Sequence, residues 1–122
     1  METLLLQDWL TIQNGTGTPT ISQGAPGYLD VSEYQDLVFY LDAQQIANPT
    51  IIEYQTAPSA EESAFLTMLS IQPANGVTSL HRADAILGSY APVPPAKYAR
   101  WVCFGTSYMC TFRIWVAGYR LP

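Results

Sequence analysis

The sequence predicts an all-β domain, an antiparallel β-sandwich of jelly-roll type with short helical turns in its loops. Three observations carry this. Runs of β-branched and aromatic residues recur at intervals of about ten residues, Pro and Gly fall at most of the breaks, and no amphipathic helical period of any length is present. At 122 residues the chain suits one domain that buries most of its apolar surface without metals or staples. A single sandwich over 1–122 is therefore expected, with 1–30 an irregular N-terminal arm plus the first strand.

Leu4, Leu6, Trp9, Leu10 and Ile12 make the first apolar segment, a strand that can run to Ile12. The Gly- and Pro-containing stretch from Asn14 to Thr20 then favours turns over a continuing element. Pro26 and Gly27 keep the next stretch irregular, and Ser32-Glu33-Tyr34 can form one helical turn. Asp36 to Gln44 alternates, with Leu37, Phe39 and Leu41 on one face and Val38, Tyr40 and Asp42 on the other. Ile46 to Pro49 supplies a turn, and Thr50 to Thr56 follows as a second strand, so the two read as a hairpin. Ser59 and Glu62 stand at capping-box spacing before a helix of a turn or so. Phe65 to Ile71 reads as a strand, closed by the turn signal Asn75-Gly76. Val77 to Ile86 reads as strand or coil, and Ala91 to Pro95 as a stiff surface connector.

The densest strand-forming patch closes the chain. Tyr98 to Phe104 and Tyr108 to Tyr119 flank Gly105-Thr106-Ser107, which reads as a hairpin. With Thr106 and Ser107 as turn residues, Cys103 opposes Cys110 and Trp101 opposes Phe112. One face then carries Trp101, Cys103, Cys110, Phe112 and Ile114, a core. The other carries Arg100, Val102, Met109, Thr111 and Arg113, with Trp115 on the same side. The two cysteines are expected to be buried thiols, since a hydrogen-bonded pair holds the backbones apart and no export signal implies an oxidising compartment.

Charged residues make up only 12% of the chain, which excludes disorder and implies an unusually uncharged surface. Nine of the ten acids lie between Glu2 and Glu62, and all five basic residues follow, from Arg82 to Arg120. The acidic and basic halves can pair within one fold, or the acidic side of one subunit can meet the basic side of the next. A net charge of −5 with scattered basic residues argues against direct nucleic-acid binding. The N-terminus lacks the basic region and cleavage site of a signal peptide, and no stretch is long and apolar enough to span a bilayer, so neither export nor a membrane partner is expected.

No catalytic signature is present, and an enzyme is not expected. His81 is the only histidine, and no serine lies in a nucleophile-elbow context. His81, Cys103 and Cys110 give three ligands where structural zinc needs four, and two of them fall in the core, so no metal or cofactor is expected. The acids Asp30, Glu33 and Asp36, and the pair Glu61-Glu62, lack EF-hand spacing and read as solvated loops. Trp101 and Trp115 fall on opposite faces, so one is a surface residue. Exposed aromatics serve either a protein contact or stacking against a sugar.

The order DVSEYQDLVFYLDA, TIIEYQTAPSAEESAF, PPAKYARWVCFG, CTFRIWVAGYR resembles the small jelly-roll β-sandwich proteins of phage genomes, a group that includes capsid decoration, or cement, proteins. The resemblance covers roughly Val31 to Arg120 and is one of rhythm. It implies a non-enzymatic virion component, made in the host cytoplasm, that binds the outside of a shell or tail, often as an oligomer. Its partners would be copies of itself, the major capsid protein or another virion protein. The same rhythm resembles galactose-binding-like domains, which implies a carbohydrate-binding module instead.

Within the closing hairpin, Arg100 and Arg113 would face each other, and like charges across a pair need an acid between them. With Trp115 beside them, the expected interface is Arg100, Arg113 and Trp115, their acidic partner coming from the first half of the chain or from a neighbouring subunit.

Overall fold

Strands form where the alternating pattern is strongest. The structure, a computed structural model, describes residues 2–14, 20–24, 27–47, 50–73, 79–85, 95–105 and 108–120. Among them lie nine strands: β1 (Glu2–Asn14), β2 (Thr20–Ser22), β3 (Leu29–Asp30), β4 (Asp36–Ala47), β5 (Thr50–Ala57), β6 (Leu66–Ile71), β7 (Ser79–Ala85), β8 (Tyr98–Gly105) and β9 (Tyr108–Tyr119). All pairings are antiparallel. One sheet has the order β1-β9-β4-β7; the other has β2-β8-β5-β6, with β3 also on β8. β2 and β3 lie along the same partner, opposite Phe104–Val102 and then Ala99–Tyr98, and act as one interrupted strand. Counted so, eight strands in two four-stranded sheets have the connectivity of a jelly roll, two interleaved Greek keys. Within 1–30, expected as an irregular arm plus the first strand, the described residues supply β1 to one sheet and the interrupted strand β2–β3 to the other.

The core fills the space between the sheets. Leu37, Phe39 and Leu41 of β4 and Cys110, Phe112, Ile114 and Val116 of β9 meet Ile52 and Tyr54 of β5 and Trp101 and Cys103 of β8, all buried. The inward faces predicted for β8 and β9 are the ones observed, and of the two faces read in β4 the one with Leu37, Phe39 and Leu41 is inward. The predicted hairpins are not observed. β4 and β5 lie in different sheets, and so do β8 and β9. Their side chains meet face to face across the core: the Phe39 and Tyr54 rings stack at 4.1 Å, and Trp101 meets Phe112 edge-on at 5.1 Å. Two-residue hairpins need turn residues that accept a positive φ, typically Asn-Gly or a Gly first. The links here are Asn48-Pro49 and Thr106-Ser107, which lack that chemistry. Both links, like Asn75-Gly76 and most of the Ala91 to Pro95 connector, lie outside the described residues.

Local devices fix the crossings. Gln23, buried, donates from Nε2 to the Leu6 and Gly27 carbonyls and accepts at Oε1 from the Trp101 N–H, bridging the two sheets where β1 bulges. The Trp101 indole N–H donates to Gln7 Oε1 at the same bulge, 3.0 Å away. Thr56 Oγ1 donates to the Tyr98 carbonyl and accepts from the Ala96 N–H, setting the start of β8. The helical turn expected at Ser32-Glu33-Tyr34 is a single turn closed by the Tyr34 N–H on the Val31 carbonyl. Asp30 caps it through the Ser32 hydroxyl and N–H, and these bonds hold its carboxyl below the usual range. Tyr34 packs against Gly118, where a Cβ would lie 2.5 Å from the Tyr34 ring, so this position of β9 requires glycine. After β5 the chain makes a 3₁₀ turn, Glu62–Ala64, preceded by Glu61 with no side-chain cap. The capping box expected from Ser59 is not made: the turn starts later and is too short to need one.

Candidate functional site

The two sheets have outer faces of different character, and each carries one of the predicted interface arginines. Arg100 pairs with Gln55 of β5, while Arg113 pairs with Asp42 of β4, so the arginines stand on opposite surfaces of the sandwich and not across a hairpin. The repulsion expected between them does not arise.

Arg100 is only 5% exposed. Its Nε donates to Gln55 Oε1 at 2.9 Å, one terminal nitrogen donates to the Tyr28 hydroxyl, and Glu62 lies 3.8 Å away. The guanidinium lies 4.1 Å from the centre of the Phe65 ring, and Phe65 meets Tyr28 edge-on. Two loops thus close over Arg100, which acts within the subunit, tying the β2–β3 interruption and the turn after β5 to the sheet.

Arg113 is open by contrast. It donates to Asp42 Oδ2 at 3.2 Å and lies between two indoles, 4.7 Å from the Trp9 ring and 5.5 Å from that of Trp115. Both cation–π contacts and the ion pair come from side chains of the same sheet. The acid that sequence reasoning sought for Arg113 is therefore Asp42 of the same chain. Arg120 follows the same rule: it pairs with Glu2 and Glu33, with the Tyr34 hydroxyl also bonded to Glu2. Arg100, Arg113 and Arg120 of the basic second half thus each meet an acid of the first half within the fold.

Around Arg113, Thr3, Tyr40, Asp42 and Trp115 line a shallow depression of about 450 Å³. Leu5 and Trp9, each 40% exposed, stand beside it on β1, an edge strand of its sheet. Tyr119, also exposed, has the same parity on β9 as Arg113 and Trp115. Trp9, Tyr40 and Asp42 were not named as interface residues from the sequence, although a signal was there. Trp9 is out of phase with Leu4, Leu6, Leu10 and Ile12, and Tyr40 and Asp42 are out of phase with Phe39 and Leu41. Two bulges in β1, between Leu5 and Gln7 and between Gln7 and Leu10, each add one residue, so the parity survives.

The remaining candidates for chemistry are dispersed. Asp30 caps its turn, Glu33 pairs with Arg120 and Glu62 approaches Arg100. His81 lies on β7, whose side chains are outside the described residues. Cys103 and Cys110 are both buried, and burial together with the neighbouring Cys103 pushes the Cys110 thiol up to about 12. Among the described residues no cluster of three potential metal ligands occurs, and no helix is long and apolar enough to cross a membrane.

No protein-family model matches the sequence. No curated protein matches it either. Among solved structures, the chain is similar to one in a structure of infectious bursal disease virus, Gx strain, with 12% identity and a TM-score of 0.39 over 94% of this chain and 30% of that one. The chain thus spans under a third of the length of that relative.

Proposed function

We propose that the chain is a non-enzymatic structural protein of a virus particle, of the kind that decorates and reinforces a phage shell, and that it works by burying the outer face of the β1-β9-β4-β7 sheet against protein. Jelly rolls serve both viral shells and lectins, so fold alone does not choose between them, and the site has to. The observation that carries the reading is the row Leu5, Trp9, Trp115, Tyr40 around a neutralised Arg113–Asp42 pair. Aromatic residues and arginine with little net charge are the composition of a protein-contact centre.

Antibody against the chain is expected to label the surface of purified particles, and particles free of the chain would overturn the virion reading. Trp115→Ala and Arg113→Glu are expected to fold and to bind the particle about tenfold or more weakly. Binding equal to that of the parent would remove this face from the contact.

A second reading, a carbohydrate-binding module, is favoured by the depression itself. Trp115 and Tyr40 offer ring faces, and Asp42, Arg113 and Thr3 offer acceptors and donors beside them. Retention of a monomer on immobilised glycan, lost in Trp115→Ala, would select it.

A further inference from the structure

We infer that Cys103 and Cys110 are a redox latch between the two sheets, a pair of core thiols that exchange with a small disulfide converts into an intersheet bond. The latch is separate from the outer faces and from any partner they meet.

Its placement follows from the way β8 and β9 part. In a hairpin the two cysteines would be ladder neighbours, but in the sandwich they stand on different sheets. Within its own sheet Cys103 has Ile21 and Ile52 beside it, and Cys110 has Ile12. Across the core, Trp101 and Phe112 meet with their ring centres 5.1 Å apart. Side chains alternate along a strand, so two residues on from Trp101 and two back from Phe112 the same inward faces present Cys103 and Cys110. Both are fully buried in one core cluster. They are also close enough for Cys103 to act, after burial itself, in holding the Cys110 thiol neutral.

The chain is short at this corner. Gly105 ends β8 and Tyr108 begins β9, and with two residues between them their Cα atoms lie at most about 11 Å apart. Large rings separate the sheets at Trp101 and Phe112, whereas the next facing pair toward the link is two small side chains. Sandwiches of the antibody type carry a disulfide between facing sheets, packed against a buried tryptophan. Trp101, two residues from Cys103, stands ready for that role.

The exchange balances with glutathione disulfide as the oxidant. One cysteine, as thiolate, attacks a sulfur of the reagent and expels one glutathione thiolate; the second cysteine attacks the protein sulfur of the mixed disulfide and expels the other. Two electrons pass from the protein to the reagent, and the two thiol protons end on two molecules of glutathione. Enclosure sets the rate. In the closed core the thiols are neutral and out of reach, so the first attack waits for the corner between β8 and β9 to open. The pair therefore stays as thiols in reducing surroundings and closes slowly in an oxidising medium.

The test compares the purified full chain before and after incubation with glutathione disulfide, with Cys103→Ala and Cys110→Ala as controls. The parent is expected to lose both thiols titratable under denaturant and about 2 Da of mass, with no glutathione retained. Its melting temperature should rise by roughly 5 to 10 °C and return on addition of reductant. Urea below the unfolding transition should speed closure by populating the open corner. Each alanine variant should show no such rise through the same treatment. Two thiols still titratable after incubation in that urea would overturn the inference. So would a product that keeps a glutathione on each cysteine, one cross-linked between copies on a non-reducing gel, or one that closes within the chain but melts no higher than the dithiol.

Discussion

Each outer surface of the sandwich carries an arginine set among aromatic rings, and the chain treats the two differently. Arg100 lies against Phe65 and Tyr28, with Gln55 and Glu62 as polar partners, and is enclosed by loops of its own subunit. Arg113 lies between Trp9 and Trp115, with Asp42 as partner, and its surroundings remain part-exposed. The local chemistry is almost the same: a cation, ring faces and a carboxylate. What differs is the cover. Phe65 follows directly on the turn after β5, and Tyr28 sits in the β2–β3 interruption, so loops fold back over one sheet. Among the described residues the other face is built only from strand residues, and strands project side chains without covering them. A cation-and-aromatic cluster is thus enclosed as an element of stability where the chain closes over it, and stands part-exposed on the surface where the described residues do not.

The largest expected effect tests the layer that separates the two faces. Trp101→Ala removes a buried indole that packs on Phe112 and bonds Gln7, and should cost about 3 to 5 kcal/mol in chemical denaturation. A mutant with unchanged melting would mean that the inward and outward faces are exchanged, and the comparison would collapse.

Arg100→Ala comes next. It strips Gln55 and Tyr28 of a charged donor and opens a space under Phe65, so a loss of about 2 to 3 kcal/mol is expected. Arg113→Ala should cost the monomer less than about 1 kcal/mol, as part-exposed ion pairs do, while weakening association. Equal monomer costs for the two substitutions would erase the distinction between an enclosed and an open arginine.

Alkaline titration sharpens the account of the core. Burial raises the Tyr54 hydroxyl and the Cys110 thiol, Cys110 to about 12 from an ordinary 9.0. Both groups must stay neutral in the folded state but ionise freely when unfolded. Their contribution is therefore complete below pH 9 and is lost as pH rises from there toward 12. A midpoint that stayed constant over that range would show that the groups are not enclosed. Reductant is expected to leave the melting temperature unchanged, because Cys103 and Cys110 are buried thiols with no disulfide to break. The smallest effect is Tyr54→Phe. The Tyr54 hydroxyl has no hydrogen-bond partner among the described residues, so its removal should leave stability unchanged or raise it by about 1 kcal/mol. A clear loss would reveal a partner for it.

The sequence by itself determined the strands and their faces. Period-two alternation says which side chains share a side of a strand: it placed Trp101, Phe112, Cys103 and Cys110 inward, set Trp115 and Arg113 on the opposite face, and separated Tyr40 and Asp42 from Phe39 and Leu41, and the burial of each agrees. It also held the parity of Trp9, which a reader of the apolar segment passes over because leucines surround it. Only the tertiary structure decided which strand lies beside which. Alternation is a property of one strand and is the same whether the next strand pairs with it in a sheet or faces it across a core. A short link permits either, and the choice is made by burial. β4, β5, β8 and β9 all have apolar inward rows, and stacking β4 on β5 and β9 on β8 across the core covers those rows on both sides. For the same reason the site was legible in part: Arg113 and Trp115 could be set on one face, but Arg113 finding Asp42 and Arg100 going to the opposite surface depended on long-range pairings that alternation within one strand does not contain, β9 with β4 and β8 with β5.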